Sequence, residues 1–305
     1  MIRYFIARGE TRVLNDSTRS SLRGSFISLS DGVTHYELTG PEGGDLVVLI
    51  PGLTVPLFYW DALAAELHSH GLRTLAYSAY GRGYSDRPHT RYDAALFVRQ
   101  VVELTGALGL TGPRHWVGAS MGALIAMAVA QQDVANIRSL TLVGPAGLET
   151  RTPPPVRMAQ FDRLAAFIGR RFGQRILGAH VAREVRSSEH TEVLSKMVTD
   201  AYGYQGSIYA LFSTLQAFPL VNQHELFRQT GETSIPTFLM WGSGDEVTPV
   251  DKIAEARALL QAEEYVMFED CGHMPPFELP VAVAERMVRF YSSLEGRERP
   301  GRARQ

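Results

Sequence analysis

The sequence predicts an α/β fold: a mostly parallel sheet covered on both faces by helices, with a helical segment inserted into it. Three observations carry that expectation. Short apolar runs alternate with helical patterns along most of the chain. The pentapeptide Gly118-Ala119-Ser120-Met121-Gly122 lies where an apolar strand must turn abruptly into a helix. The strand signal also vanishes between Glu149 and Ser234, then restarts at Ile235-Pro236.

Residues 1–24 are polar, rich in Arg and Ser, and read as an N-terminal extension without periodic signal. Phe26–Leu29 and Val33–Leu38 flank Asp31-Gly32, a hairpin-turn dipeptide. Leu46–Ile50 and Leu72–Tyr77 read as buried strands. Trp60–Ser69 reads as a helix, with Leu63, Ala64 and Leu67 at helical spacing, and Ala94–Leu108 as another. His115–Gly118 is the strand before the pentapeptide, Ala123–Ala130 the helix after it, and Leu140–Val143 the next strand. Pro153-Pro154-Pro155 then opens a run of helical segments, expected as a cap over residues 149–234. The core is therefore discontinuous, 25–148 and 235–294, with Thr237–Trp241 and Tyr265–Phe268 as its last strands. Residues 295–305 alternate charge with Gly and Pro and are expected to be a disordered tail.

The pentapeptide has the form of a nucleophile elbow. To lift its hydroxyl above the sheet, Ser120 must adopt a strained, positive-φ backbone. Side chains two residues away on either side would then collide, and Gly118 and Gly122 remove that collision. Two partners follow in the chain. Asp245 lies in the Gly-rich turn after Thr237–Trp241, and His273 lies in the Gly–Pro loop after Tyr265–Phe268. In such an arrangement His273 takes the serine proton, and Asp245 fixes its tautomer and stabilises the imidazolium. Glu246 and Asp270 are weaker candidates for the acid, the first pointing differently and the second too near His273. Cys271 lacks an elbow and is not expected to be the nucleophile.

In these motifs, and in the order Ser, Asp, His, the chain resembles the α/β-hydrolase-fold serine hydrolases, in their lipase, esterase and meta-cleavage C–C hydrolase branch. The resemblance covers about residues 25–294 and includes Ile50-Pro51-Gly52-Leu53 and Tyr80-Gly81-Arg82-Gly83-Tyr84-Ser85. Two positions depart from the family pattern: Pro51 replaces the usual His, and Ser78 the usual Asp. The resemblance implies hydrolysis of a carboxylic ester of small or medium apolar acyl chain through an acyl-enzyme. Its alternatives are a C–C bond hydrolase acting on a diketone or a thioesterase acting on carrier-bound chains. A serine at position 120 argues against the epoxide hydrolases and haloalkane dehalogenases of this fold, which need a carboxylate nucleophile. No cofactor or metal is implied.

The oxyanion formed on attack needs two preorganised donors. The Met121 amide, at the start of a helix, is one; the Leu53 amide is the other, since Pro51 has no N–H. Tyr204, Tyr209, Phe212 and Phe218, in the half of the cap nearest its return to the sheet, are expected to line an apolar acyl pocket.

The chain has 305 residues, 45% hydrophobic and 20% charged, as in ordinary globular proteins. A net charge of −2 disfavours a general nucleic-acid binder. The single cysteine excludes an internal disulfide, and neither a secretion signal nor a membrane-length apolar run is present, so a cytoplasmic protein is expected. Eight arginines in the first half of the cap (Arg151, Arg157, Arg163, Arg170, Arg171, Arg175, Arg183, Arg186) read as a solvated face. The sharper alternative is a site for an acidic carrier protein or an anionic surface.

Overall fold

The computed structural model describes residues 2–151, 157 and 160–298, so Pro153–Pro155 and the last seven residues lie outside the described residues. Eight strands among them form one sheet: β1 (Ser25–Leu29), β2 (Gly32–Thr39), β3 (Leu46–Ile50), β4 (Arg73–Tyr77), β5 (Arg114–Ala119), β6 (Ile137–Val143), β7 (Thr237–Gly242) and β8 (Glu264–Phe268). Their order is β1-β2-β4-β3-β5-β6-β7-β8. The β1–β2 hairpin pairs Leu29 with Gly32 and joins β4 antiparallel; every pairing from β4 to β8 is parallel. Apolar runs without alternation belong to strands covered on both faces, and Val47 to Ile50 of β3 are wholly buried.

Helix α1 (Asp16–Arg19), capped by Asn15, precedes the sheet. Around the sheet, α2 (Asp61–Ser69) lies with the final helix, while α3 (Ala94–Ala107) lies with α4 (Met121–Ala130). Among the described residues, four helices with defined bounds interrupt the strands between β6 and β7: α5 (Asp162–Val181), α6 (Ser188–Ala201), α7 (Ser207–Ala217) and α8 (His224–Gly231). Then come α9 (Ile253–Leu260), α10 (Pro275–Glu278) and α11 (Pro280–Glu298). The insert is not uniform. Helix α5 packs on α6 and α7, whereas α8 packs on α4 and α9 at the flank of the sheet. Helix α11 continues to Glu298, four residues into the segment expected to be disordered from Glu295.

The N-terminal extension carries structure that its polar composition hides. Ile2, Phe5 and Ala7 are buried. Phe5 fills the space over Gly169 of α5, where an added Cβ would come within 2.5 Å of its ring. The buried Glu10 carboxylate accepts the amides of Ala7 (2.7 Å), Gly206 (3.1 Å) and Ile208 (2.6 Å), closing the N-terminus of α7 with an acid. The extension thereby straps the insert.

Two buried histidines make stability pH-dependent. Burial holds His35 down to about 4 and His115 to about 3. His35 Nε2 bonds the Arg23 carbonyl at 2.9 Å, and its Nδ1 lies 3.1 Å from Ser78 Oγ, at the position where the family pattern has Asp. His115 stacks on Tyr291 at 3.7 Å. In the unfolded chain both take a proton below about pH 6.5. The unfolded chain therefore binds more protons between about 6.5 and 4, and stability falls as pH falls through that window. For His35 alone the loss is about 3 kcal/mol. Urea unfolding across this range should show the slope. His115→Phe, which keeps the stack, should flatten it, and an unchanged slope would contradict the assignment.

Candidate active site

Ser120 joins β5 to α4 with φ 54° and ψ −116°, the positive-φ backbone that the elbow requires. The flanking glycines are sterically demanded. A Cβ on Gly118 would lie 2.4 Å from the Gly122 carbonyl oxygen, and one on Gly122 would lie 2.4 Å from that of Ile50. Both contacts are with backbone, so no side chain can move aside to accept them.

Asp245 and His273 lie in the two turns expected from the sequence. Asp245 Oδ2 lies 2.7 Å from His273 Nδ1, and both side chains are almost fully buried. Asp245 Oδ1 accepts the amides of Val247 and Thr248, each at 2.8 Å, and Thr248 Oγ1 donates to Oδ2 at 2.7 Å. Burial pushes the Asp245 carboxyl up, but attraction and hydrogen bonding from His273 and Thr248 outweigh it, leaving it below its ordinary value. The rival groups are placed elsewhere. Glu246 is exposed and pairs with Arg183 at 3.7 Å; Asp270 is exposed on the surface. The Cys271 thiol is buried beside Glu278, and burial followed by that neighbouring charge drives its pKa strongly upward. It is not a thiolate.

Ser120 and His273 line one cavity of about 490 Å³. No hydrogen bond between Ser120 Oγ and His273 Nε2 is formed among the described residues, a gap often closed only when substrate is bound. Gly52 and Leu53 border the same cavity, and neither the Leu53 nor the Met121 amide has an acceptor among the described residues. The wholly buried Arg82 anchors the first of these loops. It donates to the carbonyls of Leu53 (2.8 Å) and Tyr80 (3.0 Å) and to Thr214 Oγ1 of α7 (3.0 Å).

The cavity walls correct one expectation. Leu211, Leu215, Leu220, Ile176 and Leu177 supply its apolar lining, and none of Tyr204, Tyr209, Phe212 and Phe218 borders it. The reason is helical phase. Leu211 and Leu215, four apart, share the cavity-facing side of α7. Tyr209 and Phe212 turn instead toward Phe5 of the N-terminal strap, and Tyr209 OH donates to the Thr90 carbonyl at 3.0 Å. Tyr204 lies under the Arg12 guanidinium at 4.4 Å, and Phe218 packs edge-on against Phe97.

Three polar residues at the site have no recognisable sequence signal beforehand. Glu184, just after α5, is buried; its carboxylate accepts Thr54 Oγ1 at 3.2 Å and lies 3.1 Å from His180 Nε2. Its backbone carbonyl accepts the His273 amide at 2.8 Å, so the insert holds the His273 loop directly. Burial works against a charged His180, yet the attraction and hydrogen bond of Glu184 raise its pKa overall. The buried Glu278 accepts the amides of Gly272 (2.8 Å) and Arg186 (2.9 Å), a second tie between that loop and the insert.

A model of the alpha/beta hydrolase fold family matches residues 45–280. The chain belongs to that family. It is similar to a non-heme chloroperoxidase of Streptomyces lividans, 24% identical over 77% of this chain and 87% of the relative. Lipase 1 of Psychrobacter immobilis is 23% identical over 92% of this chain and 87% of its own length. Among solved structures, a thermophilic esterase from Thermogutta terrifontis superposes with a TM-score of 0.74 at 21% identity, covering 90% and 99% of the two chains. At that identity the structural likeness speaks for the fold alone. No helix among the described residues is long and apolar enough to cross a membrane.

Proposed function

We propose that this hydrolase cleaves carboxylic esters of small or medium apolar acyl chains through an acyl-enzyme on Ser120. One observation carries the reading: a buried Asp245–His273 pair, 2.7 Å apart, opens with the positive-φ Ser120 onto one largely apolar cavity. Ser120 Oγ attacks the ester carbonyl while His273 Nε2 takes its proton. The oxyanion that forms is held by the Leu53 and Met121 amides. His273 then returns the proton to the departing alcohol. Water, deprotonated by the same imidazole, attacks the acyl-enzyme and releases the acid.

The apolar wall sets the preference. Each acyl methylene buried against Leu211, Leu215 and Ile176 contributes up to about 0.8 kcal/mol, roughly fourfold in kcat/KM, until the cavity is full. With p-nitrophenyl esters of increasing chain length, efficiency should rise and then fall. Leu215→Ala should move the optimum to longer chains. The same panel should include acyl thioesters and vinylogous diketones. Flat chain-length dependence, or faster turnover of either of those two classes, would contradict the ester reading.

A further inference from the structure

The outward side of α5 has an unusual surface. Phe161 at its N-cap is 67% exposed, Phe167 62%, Phe172 44% and Leu164 43%, within one twelve-residue stretch. Packing inside the insert does not account for them; Ala165, Gly169, Gly173 and Leu177 form the buried side of the same helix. Interleaved with the rings are the exposed Arg163, Arg170, Arg171 and Arg175. None of the four has an ion-pair partner among the described residues; Arg170 and Arg171 lie 5.7 Å over the rings of Phe5 and Phe172. The acid on this helix, Asp162, accepts a hydrogen bond from Gln216. At the start of the helix a surface cleft of about 750 Å³, bordered by Arg91, Phe161, Arg163 and Leu164, contains no group of the catalytic site.

Charge decides what such a face fits. A second copy of the chain, placed by a two-fold axis, would set four arginines against four arginines. A protein partner would need a groove matched to a convex helix with separated rings. An anionic lipid surface needs no such groove. Rings enter the boundary between headgroups and acyl chains, while long arginine side chains reach the phosphates.

We propose that the outward face of α5 docks this hydrolase on an anionic phospholipid surface, with Phe161, Phe167 and Phe172 entering the interface and Arg163, Arg170, Arg171 and Arg175 meeting lipid phosphates. The same helix also walls the catalytic cavity through Ile176, Leu177 and His180, so docking brings that cavity close to the lipid.

Co-sedimentation of the full chain with phosphatidylcholine vesicles, with and without phosphatidylglycerol, tests the proposal. Binding should require the anionic lipid and weaken as salt is raised. Arg170→Gln with Arg171→Gln should weaken it by roughly fivefold per charge. Phe167→Ser with Phe172→Ser should weaken it by roughly tenfold or more. Turnover of soluble p-nitrophenyl acetate should stay unchanged in both variants, because none of these residues borders the cavity. That control separates failure of docking from failure of the ester reading. Absence of vesicle binding, equal binding to neutral vesicles, or binding indifferent to the Phe and Arg substitutions would overturn the proposal. Self-association abolished by the Phe substitutions would overturn it too, by making the face a contact between copies. Capture by polyglutamate without capture by anionic vesicles would overturn it in favour of an acidic protein.

Discussion

Ser120→Ala should lower kcat by roughly 10⁴- to 10⁶-fold while leaving the folded structure in place. On the proposed mechanism the lost atom is the one that forms the covalent bond, and Cys271, buried and held as a thiol, does not replace it. Alanine keeps the Cβ, so the positive-φ cost at position 120 is the same in both proteins. Ser120→Gly separates function from stability. Glycine adopts φ 54° freely, and this variant should be more stable than the parent by about 1 kcal/mol while remaining inactive. Chemical denaturation of the three proteins reads this directly. A Ser120→Gly protein less stable than Ser120→Ala would mean that the elbow stores no strain.

Asp245→Asn should cost roughly 10³- to 10⁴-fold in kcat with the fold retained. The carboxylate accepts from four donors: the Val247 and Thr248 amides on Oδ1, and Thr248 Oγ1 and His273 Nδ1 on Oδ2. An amide has one oxygen. Two backbone N–H groups claim it at the Oδ1 position, which leaves the NH₂ group facing His273 Nδ1. Donation to Nδ1 forces the proton onto Nε2, the nitrogen that must accept it from Ser120. The imidazole is then held in the wrong tautomer. Steady-state rates with one soluble ester, together with a thermal melt, distinguish this from unfolding. An Asp245→Asn protein within threefold of the parent would move the acid to another residue.

The sheet and the positions of Ser120, Asp245 and His273 were legible because local rules govern them. Buried parallel strands are continuous apolar runs, and each of the three residues stands among glycines or prolines at the end of such a run. Residues whose role depends on contacts across the fold were not legible. Arg82 stands inside a segment that carries the resemblance, yet nothing in that segment points to its partners; Glu184 and Glu278 are charged residues in ordinary sequence, and only folding brings each of the three against a backbone group of the site. Thr248 was closer to recognition, three residues beyond Asp245 in a turn, but its bond to Oδ2 needs the turn to close. The aromatic pocket failed for a different reason. Helical periodicity identifies faces without saying which face meets which neighbour. The N-terminal strap, through Phe5, takes the Tyr209–Phe212 side of α7 and leaves Leu211 and Leu215 to the cavity. That strap was itself invisible, since Ile2 and the short run Tyr4–Ala7 lie between arginines and show neither strand nor helix periodicity until the insert packs on them.

The claim that Ser120 carries the acyl group is tested most directly by mass spectrometry of the protein treated with an alkyl organophosphonate fluorophosphonate probe. The account predicts one covalent adduct per chain, located by peptide mapping on Ser120, formed slowly or not at all in Asp245→Asn and absent in Ser120→Ala. An adduct on another serine or on Cys271, or an active enzyme that takes no adduct, would contradict it.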